Sequence, residues 1–462
     1  MEINDILNLS PAEAIGYLRK KTIVVPSWAK LEKEYDQKLH PVKTDATYID
    51  KVTKSGTEKM CRITLGWQKL AVKRIAEMCF AIPPKRVYKP QNDAEQAVAR
   101  IIEDIYRKNR INSVNIQRGR QLFASCEMMT LWYPQDSPTT YGGEKSAFKL
   151  RCKTFSPMHS SQIYPLFDDF DDLIALSVEC NRIEDEQQIT YFDTYTAEQH
   201  IRWRIANGKI SEDVREPIGI GKIPAAYIHR NEPIWEDQSD NVAEAEWTLS
   251  RNGNYIRKNA RPTWVVFMDD ETNYNSQEPV GDNIGRNVLK YPANAKANYV
   301  TWTQAIESIK FHTEEIKRNF FRQLQLPDMS MDEMKSTPMS GESRKMMFID
   351  AQLKVIDESG ALLEFLDREL NVIRAFVKQM FPHYAAAVDS LRVDYEITPY
   401  TISDLTEQIQ NYSNATGGKQ IMSTRQAVAH LGFADDIDEE LSQIESEQAV
   451  PGFNLLPKES GA

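Results

Sequence analysis

The run Asp168–Asp172 (DDFDD) places four carboxylates within five residues, and carboxylate oxygens are the ligands that Mg²⁺ and Ca²⁺ prefer. The run lacks the central glycine and the closing glutamate of a calcium-binding loop. It also lies between two β-like runs, QIYPLF and LIALSVEC, where a solvated turn explains it better. The sequence therefore predicts a turn here, with a bound divalent cation as the alternative.

The glycine-rich segment 219–222 (GIGK) is the candidate for a phosphate-binding loop. Such a loop needs four residues between its glycines and a Ser or Thr after its lysine. Here a single residue separates the glycines, Ile223 follows the lysine, and Pro224 prevents a helix from continuing through the segment. The spacing therefore predicts a turn that leads into a strand rather than a nucleotide site.

Histidines and cysteines are scattered along the chain. No two histidines stand in an H-E-x-x-H or H-x-x-x-H arrangement, so the sequence gives a zinc site little support. No G-x-S-x-G motif occurs. The cysteines are odd in number and form no C-x-x-C pair, so we expect reduced and mostly buried thiols at Cys61, Cys79, Cys126, Cys152 and Cys180. The sequence predicts no catalytic residue, no cofactor and no metal.

Length and charge limit the function further. The 462 residues suffice for roughly two to four domains. The net charge of −11 disfavours tight binding to phosphate backbones, which needs a dense Lys and Arg surface. No apolar run approaches the roughly 20 residues that span a bilayer. The first residues, MEINDILNLSPAEAIGYLRKK, lack the pattern of a secretory signal, so we expect assembly in the cytoplasm.

The predicted elements change character along the chain. The first 130 residues have helical spacing near 11–21, 61–80, 93–108 and 112–131. From about 131 to 235, short β-like runs follow, punctuated by Gly, Asn, Asp and Pro: FKLRCKTF, QIYPLF, LIALSVEC, QITYFDTYT, HIRWRIA and AAYIH. Their short connections predict hairpins and a compact, mostly antiparallel sheet.

Further elements are predicted on both sides of two long helices. A helix begins near Ser239, a good N-cap residue, and Gly253 weakens its middle. A β-type run, PTWVVFMDD, follows it. After Pro382, RVDYEIT alternates like a strand, and a small helical unit is predicted over 402–445.

The two long amphipathic patterns lie between residues 301 and 381. The first has an apolar stripe at Ile306, Ile309, Ile316, Phe320 and Leu324. The second has apolar residues at steps of three, four or seven: Ile349, Leu353, Ile356, Leu363, Leu370, Ile373, Val377 and Met380. At 1.5 Å per residue the second helix would span roughly 60 Å. Such a length indicates packing beside other copies, and therefore assembly rather than catalysis.

Four stretches of the chain carry a resemblance to a known family. QIYPLFDDFDDLIALSVECNR contains a strand, an acidic turn and a strand, and ITYFDTYTAEQHIRWR contains the next strand with a Y-T segment. GIGKIPAAYIHRNEPIWEDQSDNVAEAEWTLSRN contains a G-x-I-P strand that leads to a Ser-Asp helix start, and SGESRKMMFIDAQLKVID contains the S-G opening of the longest helix. In order and spacing these stretches resemble the portal proteins of long-tailed bacterial viruses. The resemblance covers some 60–380. It departs from the family at Trp247 and Asn252–Gly253, where the family is usually more apolar.

The resemblance implies an α+β portal fold with a mixed helix and sheet wing. Its parts in chain order are a wing over 1–238, a stem helix over 239–260, a small β-containing clip over 261–301, a second stem helix over 302–325, a channel loop over 326–340, a long kinked wing helix with its return strand over 341–401, and a small helical crown with the C-terminal tail over 402–462.

The resemblance further implies a structural subunit, not an enzyme, in a ring of about twelve copies at one capsid vertex of the virion. Double-stranded DNA would pass its channel during packaging and ejection, without sequence-specific contacts. The implied partners are other copies of the chain, the terminase large subunit that hydrolyses ATP, the head–tail adaptor, and the major capsid and scaffold proteins. The alternatives are a metal-dependent nucleic-acid enzyme that uses Asp168–Asp172, and another ring-forming structural adaptor.

The channel residues that this resemblance implies lie on the first long helix and in the loop after it. Off the apolar stripe of the helix are Lys310, Lys317, Arg318 and Arg322. The equal alternative for these basic residues is pairing at helical spacing with Glu307, Glu314 and Glu315. The channel loop contributes flexible apolar side chains and one lysine: Met329, Met331, Met334, Lys335 and Met339. Gly360 predicts a kink in the long helix.

Overall fold

The computed structural model describes residues 3–53, 56–259, 263–267, 296–300, 306–326, 348–400, 405–417, 421–432 and 437–449. Contacts within the chain define two compact units, a larger one of residues 1–328 with 350–400 and a smaller one of residues 329–349 with 401–462. The predicted α+β class is confirmed, because helices and antiparallel sheets both build the larger unit.

The first part of the larger unit is mainly helical, as predicted. Its helices are α1 (Ile3–Leu7), α2 (Pro11–Leu18), α3 (Trp28–Tyr35), α4 (Pro41–Thr44), α5 (Trp67–Phe80), α6 (Asp93–Lys108) and α7 (Ile111–Ser125). Three short strands lie among them: β1 (Lys51–Thr53), β2 (Gly56–Glu58) and β3 (Lys85–Lys89).

Helix α6 has the bounds that the sequence predicts, because its first turn is capped from both directions. The side chain of Asn92 accepts a hydrogen bond from the backbone N–H of Glu95 at 2.9 Å. In return, the Glu95 carboxylate accepts from the backbone N–H of Gln91 at 2.7 Å. This reciprocal pattern fixes the helix start locally, so the sequence alone contains the signal.

Two predicted helices are shorter than expected. The prediction of 61–80 is wrong at its start, because α5 begins at Trp67 and the backbone of residues 61–65 bonds to side chains of a distant helix. The prediction of 112–131 is wrong at its end, because α7 stops at Ser125. Cys126 then takes a left-handed conformation (φ 62°), and Glu127 begins a strand.

The predicted β region forms two main sheets rather than one, and both are antiparallel. The strands are β4 (Glu127–Gln135), β5 (Thr139–Tyr141), β6 (Glu144–Ser146), β7 (Lys149–Phe155), β8 (Ser161–Phe167), β9 (Leu173–Glu184), β10 (Gln187–Tyr195), β11 (Gln199–Ala206), β12 (Lys209–Pro217) and β13 (Ala225–His229). One sheet has the order β12-β11-β10-β9-β8 and the other the order β13-β4-β7, while β5 and β6 pair with each other.

Apolar side chains cover both faces of the five-stranded sheet. On one face, Phe192 and Trp203 pack with Ile15 and Leu18 of α2. Another cluster joins this sheet to the three-stranded sheet and includes Met129, Phe155, Ile163, Val178 and Tyr195. Both faces of this sheet are therefore buried, because each face packs against other apolar side chains.

The larger unit continues with a long helical part. Its elements are α8 (Ser239–Asn259), β14 (Thr263–Phe267), β15 (Lys296–Val300), α9 (Ile306–Gln323), α10 (Ile349–Met380), α11 (Ala385–Ser390) and β16 (Arg392–Glu396). Within the predicted runs PTWVVFMDD and RVDYEIT, strands are confirmed over Thr263–Phe267 and Arg392–Glu396, since β14 pairs with β15 and β16 pairs with β3; Pro262 and residues 268–270 lie outside the described part of the chain. Helix α10 buries Leu370, Ile373 and Val377 among α6 residues such as Ile101 and Ile105.

The described part of the smaller unit consists of α12 (Leu405–Thr416), α13 (Thr424–Leu431) and α14 (Ile437–Ala449), which confirms the predicted helical unit. Ser423 caps α13 through the backbone N–H of Gln426, and Gly432 ends it in a left-handed conformation. No helix among the described residues is long and apolar enough to cross a bilayer.

Candidate assembly and channel elements

Helix α9, which carries the predicted channel residues, is anchored at its C-terminal end. Phe320 and Phe321 are buried there. The ring of Trp67 on α5 lies 5.5 Å from that of Phe320, and the guanidinium of Arg74 lies 4.6 Å above that of Phe321. The C-terminal end of the predicted apolar stripe, Phe320 and Leu324, is therefore buried, with Phe320 against α5, and α9 also contacts α8.

The predicted channel residues of α9 lie off this packed stripe. Lys310 pairs with Glu314 at 3.7 Å and Arg318 with Glu315 at 3.2 Å, and all four side chains are well exposed. The alternative of pairing at helical spacing is therefore confirmed for these two basic residues. Exposed pairs of this kind contribute only about 0.3–0.5 kcal/mol each, so they leave both cations available to a ligand. A role in the channel stays a prediction.

One face of α9 remains open to solvent. Phe311 is 69% exposed, and Arg318 and Arg322 follow it at seven and eleven residues, which places all three on the same side of the helix. Lys317 is half-buried beside this face. The predicted loop residues lie outside the described part of the chain: Met329, Met331, Met334, Lys335 and Met339.

Helix α8 is held by an extended segment that the sequence analysis assigned to α5. Three backbone N–H groups of the 61–65 segment donate to side chains one helical turn apart: Cys61 to Asn254 Oδ1 (2.6 Å), Ile63 to Ser250 Oγ (2.8 Å) and Leu65 to Glu246 Oε1 (2.6 Å). Two residues of an extended segment advance roughly 6.6 Å, and four residues of a helix advance roughly 6 Å. Every second residue of the segment can therefore bond to every fourth residue of α8.

Gly253 has a packing role in this contact. A Cβ atom added to it would lie 2.7 Å from the Sγ of Cys61, which is too close for any real contact. The glycine that weakens the middle of α8 in the sequence is thus needed for the 61–65 segment to approach the helix. Ser239, predicted as an N-cap, instead donates its hydroxyl to Glu34 Oε2 at 2.7 Å.

A buried ion pair fixes α10 against the sheet side of the larger unit. Glu369 is fully buried and accepts hydrogen bonds from Arg118 Nη2 on α7 at 2.8 Å and from Trp132 Nε1 on β4 at 3.0 Å. Asn115 accepts a further bond from Arg118 at 3.0 Å. This site was not predicted from the sequence. Its available signal was a glutamate flanked by Leu366, Leu370 and Ile373 on the apolar side of a helix.

The first half of α10 differs from the part that packs on α6. Three of the predicted apolar positions are exposed there: Ile349, Leu353 (56%) and Ile356 (60%). The helix is continuous in hydrogen bonding through Gly360, and a Cβ at this glycine would meet no atom within 4 Å. Ser359 donates its hydroxyl to the carbonyl of Ile356 at 2.6 Å. The kink at Gly360 stays a prediction.

A charged cluster links three strands of the five-stranded sheet. His200 lies between Asp193 (3.0 Å) and Glu216 (2.9 Å), and Arg202 donates to Asp193 at 2.7 Å. Burial opposes a charge on the imidazole, but the hydrogen bonds to the two carboxylates raise the pKa of His200 above its ordinary value. Burial likewise acts against ionisation of Asp193, but bonds from His200 and Arg202 hold the pKa of that carboxyl low.

The two segments first considered for chemistry are turns, as predicted. Asp168 Oδ1 accepts from the backbone N–H groups of Phe170 (2.8 Å) and Asp172 (2.9 Å), so this carboxylate organises its own turn. Gly221 has a φ of 63° in the turn before β13. Among the described residues no cluster of metal-ligating side chains occurs. The five cysteines are free thiols, and burial raises the pKa of Cys79 and Cys126 to about 12.

A known family covers nearly all of these elements. The model of the phage portal protein family, SPP1 Gp6-like, matches residues 20–450. The chain belongs to this portal family. The family is one of structural proteins, which fits the assembly role indicated by the long helices. No curated protein sequence matches the chain significantly.

Solved structures with a low similarity to the chain come from gene transfer agent particles. The neck of an empty gene transfer agent particle, computed with C6 symmetry, has 9% identity and a TM-score of 0.41 over 79% of this chain and 89% of that one. The virion of the native gene transfer agent particle has 8% identity and a TM-score of 0.41, over 91% of this chain and 98% of that one. The neck of the native particle, computed with C12 symmetry, has 10% identity and a TM-score of 0.39, over 90% of this chain and 96% of that one. All three TM-scores are below 0.5, so the family match alone establishes the family.

Proposed function

We propose that the chain is the portal subunit of a tailed bacterial virus. About twelve copies form a closed ring at one capsid vertex, around a channel through which double-stranded DNA is packaged and ejected. The observation that carries this proposal is the family match over residues 20–450. The terminase large subunit supplies ATP hydrolysis, and this chain supplies the passage and the docking platform.

In this proposal α8 and α9 form the stem and the open face of α9 lines the channel. Helix α9 contains four basic and three acidic side chains, which leaves a net charge of +1 with His312 neutral. Lys310 and Arg318 already have acidic partners on the same helix. Because each phosphate that a protein neutralises adds salt-dependent affinity, a nearly balanced surface suits DNA that must slide.

The exposed apolar residues of α10 support assembly from several copies. Leu353 and Ile356 lie on one side of the helix, and Gly360 follows on the same side with open space around it. Apolar side chains grouped in this way mark a contact surface more often than scattered ones do. We assign this side of α10 to the contact with a neighbouring copy in the ring.

The remaining parts follow the same scheme. The 261–301 clip, of which β14 and β15 form the described base, docks the terminase large subunit and later the head–tail adaptor. The 402–462 crown lies inside the capsid, and the 1–238 wing faces the major capsid and scaffold proteins. The 326–340 loop, with Met329, Met331, Met334, Lys335 and Met339, projects into the channel.

Negative-stain imaging and native mass spectrometry of the purified full-length chain test this proposal. We expect closed rings with a central hole and a mass of about twelve subunits. A matched preparation of Leu353→Glu with Ile356→Glu is the control, because it should give folded single subunits. A wild-type chain that stays monomeric at every concentration would overturn the proposal.

A further inference from the structure

A cavity of about 470 Å³ lies beside the first turns of α8, bounded also by α3, α4 and α5. It is separate from the open face of α9 and from the exposed side of α10. We call it the α8 pocket. Its buried lining residues are His40, Gln68, Val242 and Glu246. The polar atoms of these residues indicate which ligand the α8 pocket can bind.

Two buried oxygens in this lining have no hydrogen-bond donor. Gln68 and Glu246 are 2% and 1% exposed, and among the described residues Gln68 Oε1 and Glu246 Oε2 have no partner. Burying an acceptor without a donor costs free energy, and the cost is greater for a carboxylate. Both residues line the same pocket, so a donor-bearing group bound there would lie beside both side chains.

The other atoms around Glu246 are already engaged. Its Oε1 accepts from Leu65 N–H at 2.6 Å and lies 2.7 Å from His40 Nδ1. His40 Nε2 lies 2.9 Å from the carbonyl of Glu34, so both ring nitrogens of His40 lie within hydrogen-bond distance of an oxygen. Even with His40 counted as charged, the lining contains four carboxylates against two cationic side chains. The pocket therefore favours a cation.

The remaining side chains that line the pocket indicate what is attached to the cationic group of the ligand. Leu39, Val242 and Ala243 give the pocket apolar sides, while Asp45 and Asp240 are exposed lining residues. A cationic head on an aliphatic stem matches this arrangement, because the stem packs on apolar atoms while the head donates to oxygens. We propose that the α8 pocket binds an alkylammonium or alkylguanidinium group. This inference does not depend on the proposed portal function.

Titration of the full-length chain with n-butylammonium and n-butylguanidinium chloride tests the pocket. Isothermal calorimetry and the melting temperature are the readouts, with n-butanol and KCl at matched concentrations as controls. We expect saturable binding and a saturable rise in melting temperature for the two cations only. Equal effects of n-butanol or KCl, or no saturable binding, would overturn the proposal.

Three variants place the binding in this pocket. Glu246→Gln keeps the size of the side chain and should weaken n-butylammonium binding about tenfold or more, the usual effect of losing a charged hydrogen bond. Gln68→Met removes the other unpartnered oxygen, so it should raise the melting temperature of the free protein while weakening binding. A residue of the ligand site should show these opposite effects. Replacing a merely structural residue would instead lower both the melting temperature and the binding affinity.

Ala243→Phe fills the pocket and keeps both His40 and Glu246, so it tests the site even if the Glu246 variant misfolds. It should abolish n-butylammonium binding, while Thr248→Phe, on the same helix outside the pocket, should leave it unchanged. Wild-type affinity in Ala243→Phe would overturn the proposal. If the natural occupant is a Lys or Arg side chain of a second copy, Ala243→Phe also weakens self-association; if it is a free amine, self-association is unchanged.

Discussion

Helices α9 and α10 both place charged residues beside an apolar stripe, yet they use those charges differently. On α9, Lys310 and Arg318 pair with acidic residues in solvent. On α10, Glu369 is fully buried and bonded to Arg118 and Trp132. Exposed pairs contribute little to folding and stay available for a partner, whereas a buried pair holds its helix in one position. The exposed pairs therefore leave α9 open to a partner, whereas the buried pair fixes this part of α10 against α7 and β4.

The largest effect should come from breaking the buried pair. Arg118→Met leaves Glu369 buried and unpaired, so we expect the free energy of unfolding to fall by about 3–5 kcal/mol in urea titrations. The double variant Arg118→Met with Glu369→Leu removes both charges and should recover most of this loss. A loss below 1 kcal/mol in the single variant would show that the pair does not hold α10.

The same substitution, glycine to alanine, should have opposite effects on stability at Gly253 of α8 and Gly360 of α10. Gly253→Ala places a Cβ against Cys61 and should destabilise the protein by about 1–3 kcal/mol, the usual cost of overpacking. Gly360→Ala meets nothing and should stabilise it by about 1 kcal/mol through helix propensity. Thermal unfolding measures both. Equal signs would contradict the assignment of Gly253 to the contact with the 61–65 segment.

A pH profile tests the buried charges of the sheet. Folding raises the pKa of His200 above its ordinary 6.5, so its stabilisation is complete below about pH 6.5 and is lost as the pH rises through the folded value. The pKa of Asp193 is lowered below its ordinary 3.8, so its contribution is present above about pH 3.8 and is lost as the pH falls through the folded value. Relative to His200→Gln, the wild type should therefore lose stability as the pH rises above about 6.5. Parallel profiles would contradict this.

The exposed side of α10 should be nearly neutral for folding. Leu353→Glu with Ile356→Glu should change the unfolding free energy of the isolated subunit by less than about 0.5 kcal/mol per site, as for other surface positions. Ring formation, measured by native mass spectrometry, should be lost. Asp169→Lys, an exposed change in the turn between β8 and β9, is the control that should still form rings. Intact rings in the double variant would rule out this side as a subunit contact.

The smallest effect is expected on α9. Arg318→Gln removes only an exposed pair with Glu315, so the unfolding free energy should change by less than about 0.5 kcal/mol. Its effect should appear instead in DNA packaging, measured as protected DNA per particle. A loss of stability as large as that of Arg118→Met would erase the distinction between the two helices.

The sequence predicted elements whose signals are local. Helix α6 has its predicted bounds because Asn92 and Glu95 cap it within four residues. The helix start at 61 was wrong because residues 61–65 bond to α8, nearly two hundred residues away. Glu369 was missed for the same reason, since its partner Arg118 is 251 residues distant. A charge on an apolar stripe shows that a partner is needed but does not identify it.

Cryo-electron microscopy of the assembled wild-type chain tests the central claim most directly. The claim is that copies form a ring in which α9 lines the channel and α10 contacts the neighbouring copy. We predict a closed ring with Arg318 and Arg322 facing the central axis, and with Leu353 and Ile356 covered by the next subunit. A ring in which Arg318 and Arg322 are buried between subunits, or a chain that forms no ring, would contradict the account.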